Sequence, residues 1–175
     1  MYFLNEFRLY CCNHFVNKVP FHFIRLFFYR KVMGFNIGIG STINLGCTFD
    51  SAKNLEIGTN TIINENCRLD TRGSIRIGNN VSVSAEVTIL TADHDMNDNM
   101  RGRQSPVVIH DYCWIGTQAL ILPGIELRKG VVVAAGSVVT RSVEMCDVVA
   151  GVPAKTLKKR EESFNYNASY IRLFK

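Results

Sequence analysis

Residues 114–140 read WIGTQALILPGIELRKGVVVAAGSVVT. Within this stretch Ile115, Ile121, Leu127, Val133 and Val139 stand six places apart. Four places after each come Ala119, Ile125, Val131, Ser137 and Val143, mostly small residues or valine. A period of six matches neither the 3.6 of an amphipathic helix nor the 2 of a half-buried strand. It is the period of a triangular solenoid, in which each flat side is a short strand carrying one large and one small inward residue, and three sides make one coil. Working outward from that stretch, the same phase recovers Ile109 and the triplets Ile77, Val83, Ile89; Ile57, Ile63, Leu69; and Ile37, Ile43, Phe49. The small positions include Ser41, Cys47, Thr61, Cys67, Val81, Val87 and Cys113. The early triplets start at 37, 57 and 77 and the late ones at 109 and 127, so early coils carry an extra pair of residues, Leu55-Glu56 and Ile75-Arg76, expected at a corner. The pattern predicts an all-β chain: a parallel β-helix of hexapeptide repeats over residues 34–152, with strands stacked in parallel.

The repeat is interrupted once on a large scale, at residues 95–106, DMNDNMRGRQSP. This polar segment should project as an extruded loop, and long loops on rigid scaffolds tend to carry function. Residues 1–33 differ in kind. Phe3, Phe7, Tyr10 and Phe15 lie at near-helical spacing before Pro20, and a second run covers residues 21–32. Two short helices are expected, forming a cap over the open end of the solenoid. The competing role is peripheral docking on an anionic membrane surface. The basic C-terminal segment, residues 153–175, should form a helix or a strand.

With 175 residues, 47% of them apolar and 20% charged, the chain has the size and composition of one packed domain. No apolar run approaches the ~20 residues a membrane span needs. The first nineteen residues carry Glu6, Arg8, Asn13, His14, Asn17 and Lys18, unlike a secretory signal. A cytoplasmic location is expected, with contact at the inner face of the membrane as the variant. The net charge of +5 is concentrated at the ends: residues 1–33 hold five basic groups against one acidic, and residues 151–175 hold six against two. No nucleic-acid motif accompanies this charge, so no nucleic-acid partner is expected. The six cysteines form no Cys-x-x-Cys pair and do not cluster with the four histidines, so no metal site is expected. Cys47, Cys67 and Cys113 fall on inward positions and are poor candidates for nucleophiles.

Repeats such as IGNNVSVSAEVTI and the stretch at 114–140 resemble the hexapeptide-repeat acyltransferases, and within them the galactoside, maltose and polysaccharide O-acetyltransferases. The likeness covers about residues 34–157. It rests on His94 before the extruded loop, on Trp114-Ile115-Gly116 where the repeat resumes, and on residues 150–155, AGVPAK. The leader, with NKVPFHFIR and FFYRKVMGF, is similar to that of O-acetyltransferases of bacterial surface polysaccharides. The resemblance implies a left-handed helix, a homotrimer with active sites between subunits, acetyl-CoA as co-substrate without a metal, and a sugar or glycan acceptor. It implies His94 as the general base that takes the hydroxyl proton, a task suited to a group titrating near neutral pH. Asp93 or Asp95 could orient the imidazole. Asn64 matches an asparagine that contacts the acceptor. Eight residues later the galactoside enzymes carry an acid where this chain has Arg72, so Asp70 or Arg72 would serve a different acceptor. For coenzyme A the resemblance implies Trp114 as a wall of the groove and the small residues Ala134, Ala135, Gly136 and Ser137 as a floor open to pantetheine. Thr140 and Lys155 would lie near the adenosine phosphates, with Lys158, Lys159 and Arg160 supplying further charge or forming a solvated tail.

Three rivals share the scaffold. An N-acyltransferase acting on an amino sugar, or an antibiotic O-acetyltransferase, would use the same base. A γ-type carbonic anhydrase would need three histidines on zinc, and the coils hold only His94 and His110. His110, one place after an inward isoleucine, should face outward. A purely structural solenoid would have no need of His94 and the loop.

Overall fold

The computed structural model describes residues 2–170 and 174. The inward aliphatics become the second residue of two-residue strands, or the last of three, and every one from Ile37 to Val139 is buried. The first side of the prism stacks Asn36–Ile37, Leu55–Ile57, Ile75–Ile77, Val107–Ile109 and Glu126–Leu127 in parallel. The second stacks Thr42–Ile43, Ile62–Ile63, Ser82–Val83, Trp114–Ile115 and Val132–Val133, and is continued by Asp147–Gly151. The third stacks Thr48–Phe49, Arg68–Leu69, Thr88–Ile89, Leu120–Ile121 and Val138–Val139. Register joins like to like along each ladder, as in Ile43 with Ile63 and Ile115 with Val83. Each aliphatic therefore packs on its counterpart one coil away. The extra pair of the early coils does not sit idle at a corner. Leu55, Ile75 and Val107 lengthen the first-side strands inward and are themselves buried, because a third strand residue returns the chain to the inner face.

The corners follow a rule of their own. The third residue after each inward aliphatic that precedes a tight corner has φ between +53° and +77°, from Gly40 through Asn60, Asn66, Asn80, Tyr112 and Gln118 to Gly136. The strain of this conformation at non-glycine residues is offset by corner-to-corner hydrogen bonds: the N–H of Asn66 donates to Leu45 O, that of Asn80 to Thr59 O, and that of Gln118 to Ala85 O, at 2.9–3.1 Å. Gly116 meets a different demand. A Cβ there would lie 2.5 Å from the backbone nitrogen of Ala135 in the next coil.

The inward small positions hold Cys47, Cys67 and Cys113, whose thiols donate to Asn64 O, Ser84 O and Arg128 O at 3.1–3.2 Å. Burial pushes the Cys113 thiol up to about 12. These thiols act as core groups that also satisfy a corner carbonyl.

At the N-terminal end, α1 (Tyr2–His14) packs against the third side and α2 (His22–Lys31) against the second. Cys12, Tyr29, Met33 and Phe35 close the core, with the Tyr29 ring 5.4 Å from that of Phe49. Arg25 is fully buried and donates to Val19 O and Ile43 O. The outer faces are aromatic: Phe3, Phe7 and Tyr10 line α1, and Phe23 and Phe27 line α2, all exposed. At the other end, Ala154–Lys159 folds back antiparallel on Asp147–Gly151, so the C-terminal segment begins as a strand. Residues 171–173 and 175, which carry Arg172 and Lys175 of the basic tail, lie outside the described residues.

Candidate active site

The segment after Ile89 leaves the third side and returns to the first as a β-hairpin rather than an irregular loop. Ala92–Asp95 pairs antiparallel with Arg101–Gln104, so the extrusion begins three residues before position 95. His94 therefore stands on a hairpin arm, opposite Gly102. A Cβ at Gly102 would meet no heavy atom within 4 Å, so the space on that side of the hairpin is open. His94 is exposed and makes no side-chain hydrogen bond among the described residues. A pocket of about 390 Å³ surrounds it, lined by Arg72, Ala92, Asp93, Gly102, Arg103 and Gln104.

The flanking acids do not orient this imidazole. Successive strand side chains point to opposite faces, so Asp93 and Asp95 share the face that His94 does not. Both are held by Arg103, at 2.9 Å to Asp93 and 3.1 Å to Asp95. The Arg103 guanidinium keeps the Asp93 carboxyl below the usual carboxylate range. Arg103 stiffens the hairpin from inside the extruded segment. Its signal was the alternation of Asp93 and Asp95 against Arg101 and Arg103, a cross-strand charge pattern.

Asp70 is fully buried and is not presented to an acceptor. Its carboxylate accepts from Arg72 Nε at 2.8 Å and Nη2 at 3.0 Å, and from the backbone N–H groups of Arg72, Thr91 and Ala92 at 3.0–3.2 Å. Burial alone would raise its pKa; the hydrogen bonds from Arg72 and the Thr91 N–H outweigh that and hold it low. Asp70 thus ties down the two residues at which the hairpin departs, while Arg72, half-exposed, forms one wall of the His94 pocket.

Trp114 projects from the second side, 52% exposed, with Nε1 donating to Ser84 Oγ at 3.3 Å. It shares a groove of about 340 Å³ with Gly116, Thr117, Ala134 and Ala135. Gly136 lies at the next corner position, and its φ of +68° accounts for the glycine. Ser137 points inward and is buried, outside the groove. Thr140 and Lys155 are exposed, the first after the third side and the second on the returning strand. The further basic groups are not a solvated tail throughout: Lys159 pairs with Asp147 at 2.8 Å, and Arg160 donates to Tyr112 O at 3.2 Å. Asn64 lies at the corner between the second and third sides, its Nδ2 donating to Val83 O at 2.9 Å. The His94 hairpin leaves the corner between the third and first sides. Within one chain the structure therefore gathers Trp114, Ala134 and Ala135 in one groove and His94 with Arg72 in another, and leaves Asn64 apart from His94. His110 faces outward, 2.7 Å from Glu126. Among the described residues there is no cluster of three histidine, cysteine or acidic side chains able to hold a metal ion. None of their helices is long and apolar enough to cross a membrane.

A parallel β-solenoid with one histidine-bearing hairpin and a small-residue groove defines a class, and sequence and structure comparisons agree on it. Residues 106–141 match the bacterial transferase hexapeptide (six repeats) family. A maltose O-acetyltransferase from Clostridium difficile 630 superposes with a TM-score of 0.80 at 31% identity, over 90% of this chain and 84% of that one. A hexapeptide-repeat acetyltransferase of Vibrio cholerae, crystallised with acetyl coenzyme A, gives 0.85 at 26% identity, over 92% of this chain and 89% of that one. The chain belongs to the hexapeptide-repeat acetyltransferases. A 2,3,4,5-tetrahydropyridine-2,6-dicarboxylate N-acetyltransferase of Staphylococcus aureus is 50% identical over 58 residues, 33% of this chain. The chain spans about a quarter of the length of the curated relatives it matches, 24% for that enzyme.

Proposed function

We propose that this protein transfers the acetyl group of acetyl-CoA to a sugar hydroxyl, in the assembly of a surface polysaccharide or lipopolysaccharide. The observation that carries this reading is His94: an exposed imidazole without a hydrogen-bond partner among the described residues, on a hairpin stiffened by Arg103 and pinned by Asp70. His94 takes the acceptor hydroxyl proton as the oxygen attacks the thioester carbonyl. When the tetrahedral adduct collapses, the C–S bond breaks and the departing thiolate recovers that proton. Buried thiols offer no acyl-enzyme route. Coenzyme A lies along Trp114, Ala134 and Ala135, past Gly136, with Thr140 and Lys155 toward the phosphates. Because His94 and this groove occupy different corners of one chain, the active site is built between neighbouring subunits of a homotrimer. Asn64 contacts the acceptor, and Arg72 stands where it can bond to acceptor oxygens.

The test is release of free thiol from acetyl-CoA across a panel of sugars, nucleotide sugars and amino sugars, with His94→Ala alongside. The N-acetyltransferase likeness supports a second reading, transfer to an amine. The two separate by product chemistry, since an O-acetyl ester is cleaved by hydroxylamine and an amide is not. The outer aromatic faces of α1 and α2, beside Lys18, Arg30 and Lys31, support peripheral contact with an anionic membrane. Co-sedimentation with anionic vesicles at low salt, lost on substituting Phe3, Phe7, Phe23 and Phe27 by Ser, would bear this out.

A further inference from the structure

Beyond the returning strand the chain runs back along the outer face of the second side as a strap, residues 160–170. Its base is clipped firmly. The Arg160 guanidinium donates to Tyr112 O at 3.2 Å and sits over the Phe164 ring at 5.2 Å. Phe164 stacks on Tyr112 at 5.0 Å, with Lys129 above both rings. The Tyr166 hydroxyl donates to Tyr112 O at 3.3 Å. The strap then crosses a cavity of about 490 Å³ whose floor is Ser82, Trp114 and Val132 and whose cover includes Tyr166 and Ala168. Further along, the Tyr170 hydroxyl donates to Asn64 Oδ1 at 3.1 Å. That oxygen also accepts from Asn44 Nδ2 at 3.4 Å. A carboxamide oxygen has two lone pairs, so both are taken, while one of the two Nδ2 hydrogens is engaged by Val83 O. Asn64 in this state has no acceptor site left for an incoming hydroxyl. The base is held by several contacts, and beyond Tyr170 the Phe174 ring packs edge-on against Phe21 at 6.2 Å, so the strap is anchored on both sides of the half-exposed Tyr170.

We propose that the strap covers the acceptor side of the groove and that Tyr170 is a specificity-determining residue. Its hydroxyl occupies the Asn64 lone pair open to a donating sugar hydroxyl, so an acceptor that donates to Asn64 must replace that bond. This rests on Asn64 contacting the acceptor, as proposed above.

Two measurements on the full-length protein test it separately. Trp114 is the sole tryptophan, with about half its surface exposed and the rest lining the cavity beneath the strap, so a change in acrylamide quenching of its emission reads the cover without turnover. Tyr170→Phe, which deletes only the hydroxyl, should raise the quenching constant, and Tyr170→Ala should raise it further. Unchanged quenching in both would overturn the strap as a cover. The second measurement is steady-state kinetics at saturating acetyl-CoA, with glucose, galactose, maltose and UDP-N-acetylglucosamine as probes. For the probe that turns over fastest, Tyr170→Phe should lower KM about three- to tenfold, the equivalent of one neutral hydrogen bond, with the change in KM rather than in kcat. Asn64→Ala should raise KM for the same probe. If Asn64→Ala raises KM but Tyr170→Phe leaves it unchanged or raises it, the gating role of Tyr170 is refuted while the acceptor role of Asn64 stands. If Asn64→Ala changes nothing, the acceptor reading fails and takes the selectivity claim with it, leaving the quenching result to judge the cover alone.

Discussion

Replacing Asp70 by Ala is expected to damage both the stability and the chemistry of this protein, and its magnitude can be worked from the contacts. The carboxylate accepts five hydrogen bonds, three from Arg72 and one each from the Thr91 and Ala92 N–H groups. Thr91 is fully buried, so its N–H would be left without a partner, a loss of about 1–3 kcal/mol. Ala92 is partly exposed and loses less, since water can reach it. Arg72 is half in solvent and recovers most of its loss by hydration, at about 0–1 kcal/mol. The total is about 1–4 kcal/mol, a sizeable share of the 5–15 kcal/mol typical of a domain. Catalysis should suffer too, because Ala92 and His94 lie on one hairpin arm and a displacement of about 1 Å at the reacting group is enough for ~10²-fold in rate. Because the folded-state pKa of Asp70 is depressed, its contribution is present above the ordinary carboxylate pKa and is lost only as pH falls below it. Urea unfolding of wild type, Asp70→Ala and Arg72→Ala, paired with kcat, decides the matter. The reasoning fails if Asp70→Ala is no more destabilising than Arg72→Ala and leaves kcat intact, for the carboxylate would then act through the guanidinium alone.

His94→Ala should cut turnover by about 10²- to 10⁴-fold while leaving assembly intact, since His94 is exposed and buries no volume; His110→Ala is the control, and loss of activity there instead would move the base. Trp114→Ala should weaken coenzyme A binding more than it slows the chemical step, so isothermal titration with unchanged affinity would remove the indole from the groove. Tyr29→Ala, which empties a fully buried ring site in the cap, should destabilise by about 3–5 kcal/mol in chemical unfolding; a loss under about 1 kcal/mol would mean that the cap does not close the core. His22 is pushed down to about 4 by burial and by Arg25 and Arg30. The unfolded chain therefore binds more protons between pH 4 and 6.5, and stability should rise with pH across that window, by at most about 1 kcal/mol per pH unit after solvent screening. His22→Gln should flatten this slope, and an unchanged slope would assign it elsewhere.

The repeat determined the scaffold by itself because large residues six places apart within each triplet, from Ile37 to Val139, admit a single way of facing a common interior. The inward cysteines and the exposed His110 followed from the same phase. The αL corners were also written in the chain, as Gly, Asn or another residue three places after each aliphatic, but they became legible only once stacking supplied the hydrogen bonds that stabilise Tyr112 and Gln118 there. Tertiary structure alone decided the rest. Local sequence around His94 offered two acids for the imidazole, and strand alternation turned both toward Arg103. Asp70 looked available to an acceptor until the stacking of successive coils buried it against Thr91 and Ala92. Asn64 and His94 are 30 residues apart and fall at different corners, since that spacing is not a whole number of coils. Nothing local marks Tyr170 as a partner of Asn64, 106 positions away. Such a contact exists only because the chain, having climbed the solenoid coil by coil, runs back along its outer face.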